Sequence, residues 1–182
     1  DNVMLSFAPP HDTLAEQAVL ASMMLSVQQA RWASTTLAET DFYHHRHRLL
    51  FRAMCSMTVL NEDVSIITVI DWLRKEKQLE DAGDVKGVMW LHEYSVPASQ
   101  CPGYGRILRE KAMLRSLMQE AQTMNLGASQ ELAASEDLIA GVQDRLRSLG
   151  ESATASRPLL TAYEAMVDLT GHIEDVGDKP QK

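Results

Sequence analysis

The chain has 182 residues, of which 45% are hydrophobic and 23% charged, and this suits a single globular domain followed by a linker or a tail. Its formal net charge of −8 argues against a free-standing nucleic-acid binder, because proteins that grip phosphates carry a basic surface. The two cysteines, Cys55 and Cys101, lie far apart in the sequence, which excludes a disulfide scaffold and a zinc cluster and favours a cytoplasmic protein with reduced thiols. No apolar run approaches the roughly 18 residues of a membrane span, which excludes a transmembrane helix.

The first part of the chain is predicted to be helical, because its apolar residues recur every three or four positions. Thr13 and Glu16 have the spacing of a capping box at the start of a helix over 13–27. A second, shorter helix is predicted over 30–39. Asp41 is then a suitable N-cap for a third helix.

The middle of the chain is also predicted to be helical, up to a break that is rich in proline and glycine. Ser65 is predicted to open a fourth helix, and a short fifth helix follows the glycines near residue 85. After the break at 97–105 comes the longest apolar repeat of the chain, which predicts a helical hairpin over 104–149. The sequence therefore predicts an all-α fold, with a helical globule over 1–103 and the hairpin as part of the same domain.

The segments after the hairpin have a different character. Small residues over 150–156 predict a linker. Pro158 lies near the first turn of a predicted helix over 157–174, which carries an apolar stripe and therefore needs a surface, either its own domain or a partner. The polar residues over 175–182 are predicted to form a disordered tail.

The sequence offers weak candidates for chemistry. His44 and His47 have the i,i+3 spacing of metal ligands, and together with His11 and Asp12 they permit the hypothesis of a metal-dependent hydrolase. However, no HExxH pattern accompanies them, and Asp12 is better explained as part of a helix N-terminus. Phosphate-binding loops and nucleophile elbows are absent from the sequence. We therefore predict no catalytic, cofactor-binding or metal-binding residue in this chain.

A series of short motifs resembles the N-terminal domain of DnaB-type replicative DNA helicases. The resemblance runs in order over about residues 9–149 and is interrupted by departures, such as Asp84 in place of a glycine and an unusual Cys101-Pro102-Gly103 loop. The matching segments are Pro10-His11 with Ala15-Glu16-Gln17, Asp41-Phe42-Tyr43 with His47-Arg48 and Phe51, Asp63 to Leu73, Gly83 to Leu91, Val96 to Ser99, and Ile107 to Ala112.

This resemblance implies a function in assembly. In that family the hairpins pair two domains, three pairs form a collar on a hexameric ring, and a linker helix docks on the ATPase domain of the neighbouring subunit. The resemblance further implies that primase, and in some systems a helicase loader, docks on the collar, and that DNA is engaged only indirectly. ATP and Mg²⁺ would belong to an ATPase domain after residue 182, so this chain itself is expected neither to hydrolyse ATP nor to unwind DNA.

The apolar positions of the hairpin and of the linker helix are the predicted contacts with these partners. An alternative function stays open, namely a stand-alone helicase-binding adaptor, a loader, or the helicase-binding domain of a primase, since these share a similar fold. The predicted partner-binding residues are Leu114, Leu117, Met118, Ala121, Leu138, Val142, Leu146, Leu160, Tyr163, Val167 and Ile173.

Overall fold

A computed structural model describes residues 8–93, 97–130 and 134–155 of the chain. These residues form α-helices and short 3-10 turns without any β-strand, which confirms the predicted all-α class. Two 3-10 turns, Glu39–Asp41 and Ala98–Gln100, precede the third and the sixth helix. The helices are α1 (Thr13–Leu25), α2 (Val27–Thr36), α3 (His45–Val59), α4 (Ile66–Lys75), α5 (Asp84–Glu93), α6 (Cys101–Ser129) and α7 (Ser135–Ala155).

The first helix, α1, is the centre of the globule. It is buried on every side from Ala15 to Met23, and it packs against α2, α3, α5 and α6. The core around it is one continuous cluster whose first and last members are Ala15 and Leu108. Each large apolar side chain fully buried there, such as Leu20 or Met54, stabilises the fold by about 1.5–3 kcal/mol. The hairpin beyond Leu108 adds no member to this cluster.

The start of α1 differs from the prediction. Asp12, not Thr13, is the N-cap, and its carboxylate accepts from the amide of Ala15 at 3.0 Å. Glu16 is fully buried and turns towards α3, so the predicted capping box between Thr13 and Glu16 is wrong. A buried carboxylate needs several donors, and the segment from Tyr43 to His47 at the start of α3 supplies three of them.

The caps of the next helices show the same effect of tertiary contacts. Ser65 is the N-cap of α4, as predicted. Asp41 does not cap α3, which begins after His44; its carboxylate instead accepts from the amide of Ala38 at 2.8 Å and closes the 3-10 turn. Burial raises the pKa of the Asp41 carboxyl above its usual value, partly offset by that amide.

The hairpin is longer than predicted at both ends. Helix α6 already begins at Cys101, because Pro102 lies in the first turn, where a missing amide costs no hydrogen bond. Helix α7 continues to Ala155, so residues 150–155 are helical and not the predicted linker. A single glycine at position 150 costs a helix only about 1 kcal/mol, which a long packed helix tolerates. The predicted helix over 157–174 and the tail over 175–182 lie outside the described residues.

The two hairpin helices are antiparallel. Gly127 lies against the side chain of Leu138, and Arg145 donates to the carboxylate of Glu120. The 29 residues of α6 span about 43 Å, and only the first part of that length packs into the globule core. The hairpin therefore projects from the globule. No described helix is long and apolar enough to cross a membrane.

Candidate functional site

The projecting part of the hairpin carries apolar side chains that are exposed among the residues that the structure describes. On α6, Leu114, Leu117 and Met124 are 39%, 40% and 44% exposed, and their spacing places them on one side of the helix. On α7, Ile139 and Leu146 are 52% and 44% exposed and lie two turns apart. A surface of this kind on a projecting element is typical of a contact with another protein.

The predicted partner-binding residues fall into three groups. Leu114, Leu117, Ala121 and Leu146 are exposed. The other hairpin positions are half-buried, and one of them, Leu138, packs inside the hairpin against Gly127. The prediction did not include Met124 and Ile139, which are also exposed. Met124 lies seven residues after Leu117 and Ile139 lies seven residues before Leu146, so helical spacing could have revealed both. The remaining group lies outside the described residues and comprises Leu160, Tyr163, Val167 and Ile173.

The base of the projecting part is joined to the globule by Arg115. Its guanidinium donates to the carbonyl oxygens of Pro10, Thr40 and Asp41 at 2.9, 2.9 and 2.8 Å. It also lies 5.9 Å from the centre of the Tyr43 ring, within reach of a cation–π interaction. One side chain of α6 thus holds the segment before α1 and the turn before α3. Nothing in the local sequence around Arg115 predicts this arrangement.

Beneath this junction lies a buried acid–base pair. The carboxylate of Glu16 is 2.6 Å from Nδ1 of His47 and accepts from the amides of Tyr43 and His44 at 2.6 and 3.3 Å. Burial alone would raise the pKa of Glu16, but the hydrogen bonds from His47 and from the Tyr43 amide outweigh it and hold the pKa below its usual value. The pair connects α1 to α3 and so has a structural role.

Two further histidines of this region, His11 and His44, contact aromatic and hydroxyl groups. His11 stacks on Tyr43 with ring centres 4.3 Å apart, and Nε2 of His44 is 2.8 Å from the hydroxyl of Thr13. Asp12 is occupied as the cap of α1. In the part of the chain that the structure describes, no group of three or more His, Cys, Asp or Glu side chains is arranged to hold a metal ion. The geometry therefore gives no support to the hydrolase hypothesis.

Acid is expected to weaken the domain through His44. Burial lowers the pKa of His44 below its ordinary value of 6.5, while the charge of Glu16 partly opposes this shift. The unfolded chain therefore takes up a proton at His44 near pH 6.5 before the folded chain does. Stability is full above that pH and falls as the pH drops through the folded-state pKa.

This dependence can be measured by urea denaturation at several pH values between about 7.5 and 5.5. We expect the wild type to lose more stability over this range than the His44→Gln variant, whose amide can still bond with Thr13. Equal losses in the two proteins would show that His44 is not the group responsible.

The comparisons with known proteins agree with this architecture. Residues 8–110 match the family described as "DnaB-like helicase N terminal domain". The replicative DNA helicase DnaB of Leifsonia xyli subsp. xyli is 38% identical over 114 residues, which are 61% of this chain and 24% of that protein. The replicative DNA helicase DnaB of Geobacillus stearothermophilus is 34% identical over 116 residues, which are 64% of this chain and 26% of that protein.

A solved structure is similar over almost its entire length. The crystal structure of the N-terminal domain of DnaB helicase from Mycobacterium tuberculosis superposes with a TM-score of 0.71 and 25% sequence identity, covering 78% of this chain and 99% of that chain. The family match and this structural match, and not the helical fold alone, place the chain in the class of N-terminal domains of replicative helicases. The chain belongs to the DnaB-like helicase N-terminal domain family, as the motif series indicates. It spans about a quarter of the length of the DnaB relatives above, 24% and 26%.

Proposed function

We propose that this chain acts as the N-terminal collar domain of a hexameric replicative DNA helicase, assembling with copies of itself during DNA replication. The observation that carries the proposal is the uncovered apolar side of α6 at Leu114, Leu117 and Met124, in a chain of this family. Burying such side chains against a second hairpin would stabilise a dimer, at about 25 cal/mol per Å² of apolar surface removed from water. Three dimers would then complete a ring of six domains.

The proposal also includes docking of primase or of a helicase loader on the assembled collar. A pair of domains offers a composite surface that a single copy lacks, so docking would depend on prior assembly. ATP and Mg²⁺ would be bound by the ATPase domain of such a helicase, and the neighbouring ATPase domain would receive the helix predicted over 157–174. The sequence of this chain contains no phosphate-binding loop, which supports this division of labour.

Replacing Leu117 by glutamate is expected to abolish self-association. A charge on each copy at the centre of the apolar side would have to be buried without a partner. The free energy needed to desolvate that charge exceeds the stabilisation from the apolar contact. The globule should stay folded, because Leu117 is 40% exposed and lies outside the core. Light scattering over a concentration series should show dimers or larger species for the wild type and monomers for Leu117→Glu, with unchanged circular dichroism.

The matched control is Ile67→Glu, which places the same charge on α4, where Ile67 is 76% exposed. It should leave the mass unchanged. A wild type that is monomeric at every concentration, or an Ile67→Glu variant that dissociates as Leu117→Glu does, would contradict pairing through the hairpin. Titration of the wild type with the cognate primase, followed by calorimetry, then tests docking, and a lack of binding by the assembled form would contradict that part.

A further inference from the structure

We propose that Arg115 is a positioning residue that fixes the direction in which the hairpin projects from the globule. The inference rests on the proposed function, since a fixed hairpin direction matters only if the hairpin pairs with another copy. It extends that function by naming the side chain that fixes the geometry of the pair. Three contacts of Arg115 with two separate segments of the globule carry it.

The acceptors of Arg115 are all of one kind. All three are backbone carbonyl oxygens, one in the segment before α1 (Pro10) and two in the 3-10 turn before α3 (Thr40 and Asp41). A guanidinium presents its donors in a rigid planar fork, so simultaneous bonds to two segments restrict the rotation of α6 against both of them. An ion pair with one flexible carboxylate would impose much less restriction.

The two segments that Arg115 contacts are fixed by further interactions within the globule. His11, next to Pro10, stacks on Tyr43, and Asp12 caps α1. Asp41 closes its own turn through the amide of Ala38. The carbonyl oxygens therefore form a preorganised acceptor set on the globule, and the guanidinium on α6 fits into it.

The position of Arg115 along α6 determines how strongly its contacts affect the direction of the hairpin. The last residue of α6 in the buried core is Leu108, two turns before Arg115, and the uncovered apolar side begins at Leu114. Without Arg115 the helix would keep its buried base and the half-buried residues 111–113, but it would lose the three hydrogen bonds at position 115 and could sway about that base. The hairpin tip lies four helical turns beyond Arg115. A rotation of α6 by a few degrees about its base therefore displaces the tip several times further than it displaces residue 115. Two copies would then meet in many relative orientations.

The test measures the distance between two nitroxide labels by double electron–electron resonance. One label is placed at Ser129→Cys near the hairpin tip and the other at Glu76→Cys after α4, since both residues are exposed. An excess of unlabelled chain suppresses distances between copies. The native thiols react poorly, because burial raises the pKa of Cys101 to about 12 and raises the pKa of Cys55 as well. A chain without the introduced cysteines, labelled in parallel, checks this.

Arg115→Met keeps the length of the side chain and removes every donor. We expect its distance distribution to be roughly twofold broader than that of the wild type, with the near-ultraviolet spectrum of the globule unchanged. Arg115→Lys, which carries a single ammonium, should give an intermediate width. The matched control is Arg147→Met on α7, whose side chain is 70% exposed, and it should keep the width of the wild type.

An Arg115→Met variant that is folded and as narrow as the wild type would overturn the proposal, because helix packing alone would then fix the hairpin. If that variant does not fold, Arg115→Lys decides in the same way, by a broadened or an unchanged distribution. Light scattering on the same samples separates this result from the proposed function. If the wild type is monomeric, but its distance distribution is narrow and becomes broad on Arg115→Met, the result contradicts pairing and still supports the role of Arg115.

Discussion

Replacing Glu16 by alanine is expected to lower the free energy of unfolding by about 3–5 kcal/mol, because each buried donor left without its acceptor costs about 1–3 kcal/mol. The side chain of Glu16 is fully buried and is the acceptor for His47 and for the amides of Tyr43 and His44. The substitution leaves three donors without this acceptor, namely the buried ring of His47 and the two part-buried amides. Since domains of this size are stable by only about 5–15 kcal/mol, the loss should be visible as a large shift of the urea midpoint.

A milder variant shows that the charge and the acceptor geometry matter, not only the volume. Glu16→Gln fills the same space, yet its amide nitrogen must face a donor, since both carboxylate oxygens of Glu16 accept bonds. It should therefore be clearly less stable than the wild type. The control is Asp144→Ala, which removes an exposed ion pair with Arg147 and should change nothing measurable. A Glu16→Ala variant within about 1 kcal/mol of the wild type would contradict this account of the pair.

The sequence predicted the elements of this fold well where local rules suffice. Apolar periodicity predicted the helices of the globule and the hairpin, and Ser65 was recognised as a cap. Glu16 was misassigned because its spacing from Thr13 satisfies a local rule, while its true partner, His47, lies 31 residues away. Asp41 was misassigned for the same reason, since a 3-10 turn and a helix start use the same carboxylate.

The candidate site was only partly accessible from the sequence. Helical spacing predicted the apolar sides of α6 and α7 but not which members the other helix of the hairpin would cover. Leu138 of α7 was therefore grouped with exposed residues, although it packs on Gly127 of α6. Arg115 gave no signal at all, because its acceptors are backbone oxygens 74–105 residues away, and backbone oxygens have no sequence signature. Contacts of this kind follow from the tertiary fold and not from any local pattern.

Two glycines in the first turns of α6 provide the second strong prediction, because the same substitution should act in opposite directions at them. A Cβ at Gly105 would lie 2.5 Å from Cη2 of Trp32 and 3.4 Å from Cδ2 of Leu37. The Trp32 ring is 5% exposed and rigid, so the contact can be relieved only by moving the ring or the helix. Gly105→Ala should therefore lower the free energy of unfolding by about 1–3 kcal/mol, in spite of the better helix propensity of alanine.

Gly103 is the matched control, because a Cβ there meets no atom within 4 Å. Only helix propensity and the entropy of the unfolded chain then act, so Gly103→Ala should raise the free energy of unfolding by up to about 1 kcal/mol. Urea denaturation of both variants measures the difference directly. Opposite signs would show that α6 already packs on Trp32 in its first turns, in the segment whose glycines and proline predicted a loop. A stabilised Gly105→Ala variant would contradict that close approach, since it would mean that the space beside Trp32 accommodates a methyl group.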